Sequence, residues 1–142
     1  MRRFSRLFPI LALLSLTLLA AATPAFAGNT DPLFINLTSD DSHRALMAIS
    51  FGQAQQTRGH ALTVYLNDKA VLVASKKNAA QYAEQQKMLS DIAAAGGTVL
   101  VCPMCSKKFG VAEADFIKGA RITSPDITGP ALFKNNTKTL SW

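Results

Sequence analysis

The chain has 142 residues, 49% of them hydrophobic and 17% charged, which suits one globular domain with its own core and argues against intrinsic disorder. Its net charge of +6 overstates how basic the folded part is, because Arg2, Arg3 and Arg6 precede an apolar run, and without them the balance is +3. No cluster of Lys and Arg is interleaved with aromatics, so nucleic acid is not expected as a partner.

The N-terminus reads as a signal peptide over residues 1–27. The three arginines form a positive region, Leu7 to Ala22 is apolar, and Ala25-Phe26-Ala27 supplies a small-x-small cleavage pattern ahead of Gly28. The apolar run is shorter than the roughly 20 residues that span a bilayer. Residues 28–142 are therefore expected to form a single exported domain, periplasmic and with no membrane partner after cleavage.

Leu33 to Thr38 is an apolar run of strand length. Ser39, Asp40 and Asp41 offer capping oxygens to a helix expected over 42–57, with Leu46, Met47, Ile49, Phe51 and Ala54 on its apolar face and Gly59 as its stop. Ala61 to Leu66 is a second strand, ended by Asn67 and Asp68. Ala70 to Ala74 reads either as a short strand or as an apolar loop over the sheet. A long helix is expected over 78–95, with Tyr82, Leu89, Ile92, Ala79, Ala83 and Ala93 on one stripe and Gly96-Gly97 at its end. Thr98 to Val101 is a third strand that delivers Cys102. Pro103 suits a first helical position, a short helix reaches Phe109, and Gly110 breaks it. Val111 to Lys118 reads as a further helix. Arg121 to Thr123 and Thr139 to Trp142 are short strand candidates.

Strands alternating with helices predict βαβ units. The expected fold is a three-layer α/β/α sandwich around a mostly parallel sheet of about five strands. Such sheets bind ligands outside the carboxyl ends of their strands. Cys102 falls there, on the same edge as the turn at Ser39, Asp40 and Asp41 and the turn at Asn67 and Asp68.

Cys102-Pro103-Met104-Cys105 holds the only two cysteines. At a strand-to-helix junction, unpaired N–H groups favour a thiolate over a thiol. A disulfide closing so small a loop contributes only about 2 kcal/mol of chain entropy, which argues for a reactive pair rather than a staple. Lys107 and Lys108 stand within two turns and would raise the thiolate fraction. Three chemistries are open to the pair: sulfur transfer, thiol–disulfide exchange, and Cu(I) binding by the soft ligands Cys102, Met104 and Cys105. Zinc wants four ligands, and His43 and His60 read as surface or satisfied histidines. No cofactor and no resident metal are expected. Asn36-Leu37-Thr38 fits a glycosylation sequon but lies in a buried strand.

The ordered segments FINLTSDD, GHALTVYL, VLVAS, AAAGG, TVLVCPMC, FGV and FIKGA resemble the DsrE/DsrF-like family of small sulfur-handling proteins. The resemblance implies an α/β/α sandwich, self-association as a trimer or hexamer, and relay of sulfur as a cysteine persulfide. Cys102, followed by Gly110, matches the sulfur-carrying cysteine of that family. The implied function is an exported, sulfurtransferase-like sulfur carrier that exchanges with partner thiols or a small sulfur donor. Cys102 and Cys105 would act, supported by Pro103, Lys107, Ser39, Asp40 and Asn67. A thiol–disulfide redox protein is the alternative, although in thioredoxin-like folds this motif follows an early strand, and here it follows the third.

Overall fold

In the computed structural model, which describes residue 28 and residues 30–142, the alternating apolar segments pair as one sheet. The signal peptide expected over 1–27 lies outside the described residues. The elements are β1 (Leu33–Leu37), α1 (Ser42–Thr57), β2 (Leu62–Leu66), α2 (Ala79–Ala94), β3 (Thr98–Val101), α3 (Pro103–Lys108), β4 (Ala120–Ile122), α4 (Pro125–Leu132) and β5 (Lys138–Ser141). The strand order is β4-β3-β2-β1-β5, and every pairing is parallel. Among the described residues no helix is long and apolar enough to cross a membrane.

Side chains alternate across each strand. Leu33, Ile35, Leu37, Val64, Leu66, Val99 and Val101 therefore share one face, and α1 and α2 cover it to make the core. Each such aliphatic side chain contributes about 1.5–3 kcal/mol when fully buried. Phe34, Asn36 and Tyr65 point to the other face, where α4 lies. The fold is thus the three-layer sandwich expected from the sequence.

Several local expectations are corrected. On α1 the structure buries Ala45, Ala48, Ile49 and Gly52, and leaves Met47 and Phe51 exposed. Close approach is the cause: a Cβ at Gly52 would lie 2.7 Å from Ile35 Cδ1, so small residues face β1. On α2, Tyr82, Leu89 and Ile92 are buried as expected, but Ala79 and Ala83 face solvent. The helix is kinked at Tyr82 (φ −124°, ψ 24°), which moves its first turn off the regular stripe. Gln85 and Gln86 turn inward to satisfy loop carbonyls, Gln85 Nε2 donating to Ser42 O at 2.8 Å and Gln86 Nε2 to Ser75 O at 2.7 Å.

The helix expected over Val111 to Lys118 is a single 3₁₀ turn, Glu113–Asp115. Phe116 instead bridges Ser75 in antiparallel fashion, and Ile117 N donates to Ala74 O at 2.9 Å. Ala70 to Ala74 is the apolar loop of the two alternatives, opening with a 3₁₀ turn over Asp68–Leu72. The helix α4 has no clear signal in the sequence, because Gly129 and Pro130 obscure its pattern, although Pro125 sits at a position where proline is tolerated.

The turn that launches β3 is sterically tight. A Cβ at Gly97 would meet Ile92 O at 2.9 Å and Ile92 Cγ2 at 2.6 Å. Gly97→Ala is expected to cost about 1–3 kcal/mol in urea unfolding. Gly129→Ala on α4 should instead be close to neutral in the same measurement: its Cβ meets no other segment within 4 Å, but it would crowd the ring of Pro130, which offsets the gain in helix propensity.

Candidate functional site

The site begins with the way β3 ends. Cys102 N donates to Leu66 O at 2.9 Å and Thr123 N donates to Val101 O at 3.0 Å, so the strand end is fixed from both neighbours. Pro103 has no N–H to continue the ladder and starts α3 at its first position. Cys102 is thereby left as the N-cap of α3 (φ −65°, ψ 120°), where a Ser, Thr or Asp oxygen usually stands. Its Sγ accepts from Cys105 N at 3.3 Å. An anionic sulfur accepts such a bond better than a neutral one.

Cys105 is half-buried one turn on, and its Sγ accepts from Asp68 N at 3.1 Å. Asp68 takes φ +46°, a left-handed conformation that costs a non-glycine residue about 1–2 kcal/mol. Both cysteines are free thiols.

The environment separates the two sulfurs. Burial pushes the Cys102 thiol up. Hydrogen bonds from the Cys105 thiol, the Cys105 N–H, the Tyr65 hydroxyl and the Met104 N–H outweigh it and bring Cys102 below the ordinary thiol value. Burial pushes Cys105 up, and the hydrogen bond its thiol makes to Cys102 adds to that, against the Asp68 N–H. Burial, then the bond to Cys102, likewise raises Tyr65. Of the pair, Cys102 is therefore the sulfur that ionises more readily, and Cys105 and Tyr65 hold their protons more tightly.

Tyr65 comes from β2, in register with Leu100 two residues before Cys102, and its ring tilts against Phe34 at 6.2 Å between centroids. Tyr65, Cys102, Pro103 and Met104 wall a pocket of about 280 Å³ against Thr123 and Ser124, which follow β4. A second hollow of about 300 Å³ shares Tyr65 and Thr128 and continues over Phe34 and Asn36 to β5. The sulfur of Cys102 is largely buried and opens onto the first pocket, with Met104, 81% exposed, at its mouth.

Cys102, Pro103 and Cys105 are brought together as the motif implies. Asn67 lies in the second hollow, bonded to Asn36, and only its neighbour Asp68 touches a cysteine. Ser39 and Asp40 shape the turn before α1. Ser39 Oγ accepts from Asp41 N at 3.0 Å, Asp40 O accepts from Tyr82 Oη at 2.7 Å, and Asp41 itself caps α1 by accepting from Arg44 N at 2.8 Å. Neither Ser39 nor Asp40 shares a hydrogen bond or the pocket with the cysteines. Lys107 is exposed in the last turn of α3 and is not among the groups bonded to Cys102. The Lys108 ammonium lies 5.6 Å over the Phe109 ring. His60 sits at the opposite edge of the sheet, its Nδ1 2.7 Å from Asp31 O. Among the described residues no group of three or more His, Cys, Asp or Glu is placed to hold a metal ion.

Sequence reading missed Tyr65, Thr123 and Ser124. Tyr65 belongs to the alternate set of β2, but only the inter-strand register places it beside Cys102.

The family model for the DsrE/DsrF-like family matches residues 33–129. Two solved structures are similar to the chain. The ychN protein from E. coli superposes with a TM-score of 0.65 at 15% identity, over 80% of this chain and 99% of its own. A conserved protein of unknown function, BT1422 from Bacteroides thetaiotaomicron, superposes with a TM-score of 0.62 at 25% identity, over 83% of this chain and 99% of its own. No curated protein matches.

The Tyr65 hydroxyl shares the pocket with Cys102 and helps to lower its pKa, so Tyr65→Phe should raise the Cys102 pKa. Alkylation of Cys102 by iodoacetamide, followed against pH, should then slow at neutral pH and reach an unchanged plateau in alkali. An unshifted profile would mean that Tyr65 does not act on the sulfur.

Proposed function

The chain belongs to the DsrE/DsrF-like family, and from that premise we propose that it is an exported sulfur carrier of the sulfurtransferase type in which Cys102 accepts and delivers sulfane sulfur. One observation carries the reading: Cys102 Sγ caps α3 through the Cys105 N–H at 3.3 Å and opens onto a pocket. Association of the family with sulfur relay supports it, and the signal pattern over 1–27 supports export.

Loading is a displacement at sulfur. The Cys102 thiolate attacks the outer sulfur of a donor persulfide RSSH, the S–S bond of the donor breaks, and RS⁻ leaves with the electron pair. Cys102–SSH remains. Delivery is the same step onto the thiolate of an acceptor, which regenerates the Cys102 thiolate. The Tyr65 hydroxyl and the Cys105 N–H stabilise the charge that returns to Cys102. Cys105 offers a second exit: its thiolate attacks the inner sulfur, closes a Cys102–Cys105 disulfide and expels HS⁻. A reducing thiol must then reset the pair. Self-association as a trimer or hexamer belongs to the same proposal and would cover Phe133, which is 82% exposed just past α4.

Thiol–disulfide exchange is the second reading. It is favoured by the Cys-x-x-Cys spacing at the start of α3, where Cys105 N donates to Cys102 Sγ at 3.3 Å and both thiols are free.

Intact mass separates the two. After polysulfide treatment, the reduced protein should gain about 32 Da, one sulfur. Cys105→Ser should keep that adduct longer, and Cys102→Ser should lose it. No adduct, with only a reversible loss of about 2 Da in wild type, would overturn sulfur carriage in favour of exchange.

A further inference from the structure

Asp31 is a buried carboxylate that the sulfur chemistry does not use. It lies just before β1, at the edge of the sheet opposite Cys102, with its side chain 9% exposed. Its Oδ2 accepts from Gly28 N at 2.8 Å and lies 3.5 Å from Lys138 Nζ on β5. The backbone closes a turn around it, Asp31 N donating to Gly28 O at 3.1 Å, and Lys138 N donates to Pro32 O at 2.8 Å. Buried carboxylates need close partners. Lys138 is a distant one, its side chain 55% exposed, so the nearest donor is the Gly28 nitrogen. Gly28 also makes an unusually close approach: a Cβ there would lie 2.9 Å from Asp31 Oδ1. This same residue follows Ala25-Phe26-Ala27, the small-x-small pattern of a signal cleavage site.

We propose that Asp31 is the receptor for the amino terminus that signal-peptide removal creates, so that processing itself fastens the start of the chain to the β1–β5 edge. A signal endopeptidase hydrolyses the Ala27–Gly28 amide. One water is consumed, its oxygen goes to the Ala27 carboxylate, and the nitrogen leaves as the Gly28 amine, mostly protonated at neutral pH. A neutral N–H donor 2.8 Å from a buried carboxylate thus becomes an ammonium at the same place. Charge-assisted hydrogen bonds are roughly twice as strong as neutral ones. The uncleaved chain has the weaker bond and the exported chain the stronger, so the domain gains its full stability only after processing. This inference rests on the signal-peptide reading and is independent of Cys102.

The test has two parts. The full-length precursor is expressed, the exported protein recovered, and its N-terminus read by mass. A start at Gly28 is expected, and any other start overturns the proposal. The chain starting at Gly28 is then compared in thermal unfolding with one carrying Ser-Ala ahead of Gly28. The extension keeps the Gly28 N–H but moves the charge about 7 Å along the chain. The chain starting at Gly28 should melt about 5 °C higher, and Asp31→Asn should erase that difference. Equal melting, or a difference that survives in Asp31→Asn, overturns the proposal. If Asp31→Asn does not fold, Lys138→Gln replaces it: with the competing cation gone, the difference should persist or grow, and its loss overturns the proposal. Sulfur loading of Cys102 should be equal in both chains, so failure here leaves the sulfur reading standing.

Discussion

The hydrogen bond from the Cys105 N–H to Cys102 Sγ is the constraint on which the rest of the site depends. It exists because β3 must stop at Cys102. Pro103 removes the next ladder donor and sets the first helical turn, so the sulfur occupies the place of a capping oxygen. α3 is only six residues long, and its dipole is correspondingly small. The sulfur is therefore held by particular N–H and O–H groups rather than by a long helix. Tyr65 walls the pocket onto which Cys102 opens and helps to lower its pKa, and Asp68 N–H holds Cys105 in place from the other side. The order of ionisation then follows: Cys102 is favoured as the thiolate over Cys105.

The sheet makes that arrangement durable. Cys102 hangs from a strand paired on both sides, β2 holding its N–H and Thr123, just past β4, holding the carbonyl before it. The core beneath is drawn chiefly from β1, β2 and β3, with β2 central and β5 returning as an exposed edge on the far side of β1. The amino edge of that same β1–β5 pair carries Asp31 and Gly28. The pocket at the carboxyl edge and the turn at the amino edge are thus two ends of one parallel sheet, built from different residues for different tasks.

Much of this was legible in the sequence, for reasons that can be named. Strand-length apolar runs at 33–38, 61–66 and 98–101 alternate with helical stretches, which leaves few choices but a parallel α/β/α sandwich. A capping carboxylate at Asp41 and a proline after Cys102 mark two helix starts through local chemistry alone. What was hidden depends on distances between segments. Small residues rather than Phe51 and Met47 face β1 on α1 because the helix comes too close for larger ones. Val111 to Lys118 gives up a helix because Phe116 and Ile117 find partners in Ser75 and Ala74. Tyr65 joins Cys102 only through a parallel register that periodicity does not encode. The sequence brought forward Lys107, Ser39 and Asp40 as supporting groups; in the structure the hydrogen bonds to the sulfurs come from the N–H groups of Cys105 and Asp68, and Tyr65 walls the same pocket as Cys102.

The central claim is that Cys102 is the thiolate of the pair. The most direct measurement is a titration of the reduced protein with carbon-13 at the cysteine Cβ atoms, each resonance followed separately by NMR. The account predicts that Cys102 loses its proton first, below the ordinary thiol range, and that Cys105 follows above that range. If Cys105 titrated first, or both titrated together at the ordinary value, the hydrogen bonds at the start of α3 would not be selecting the nucleophile, and the account would be contradicted.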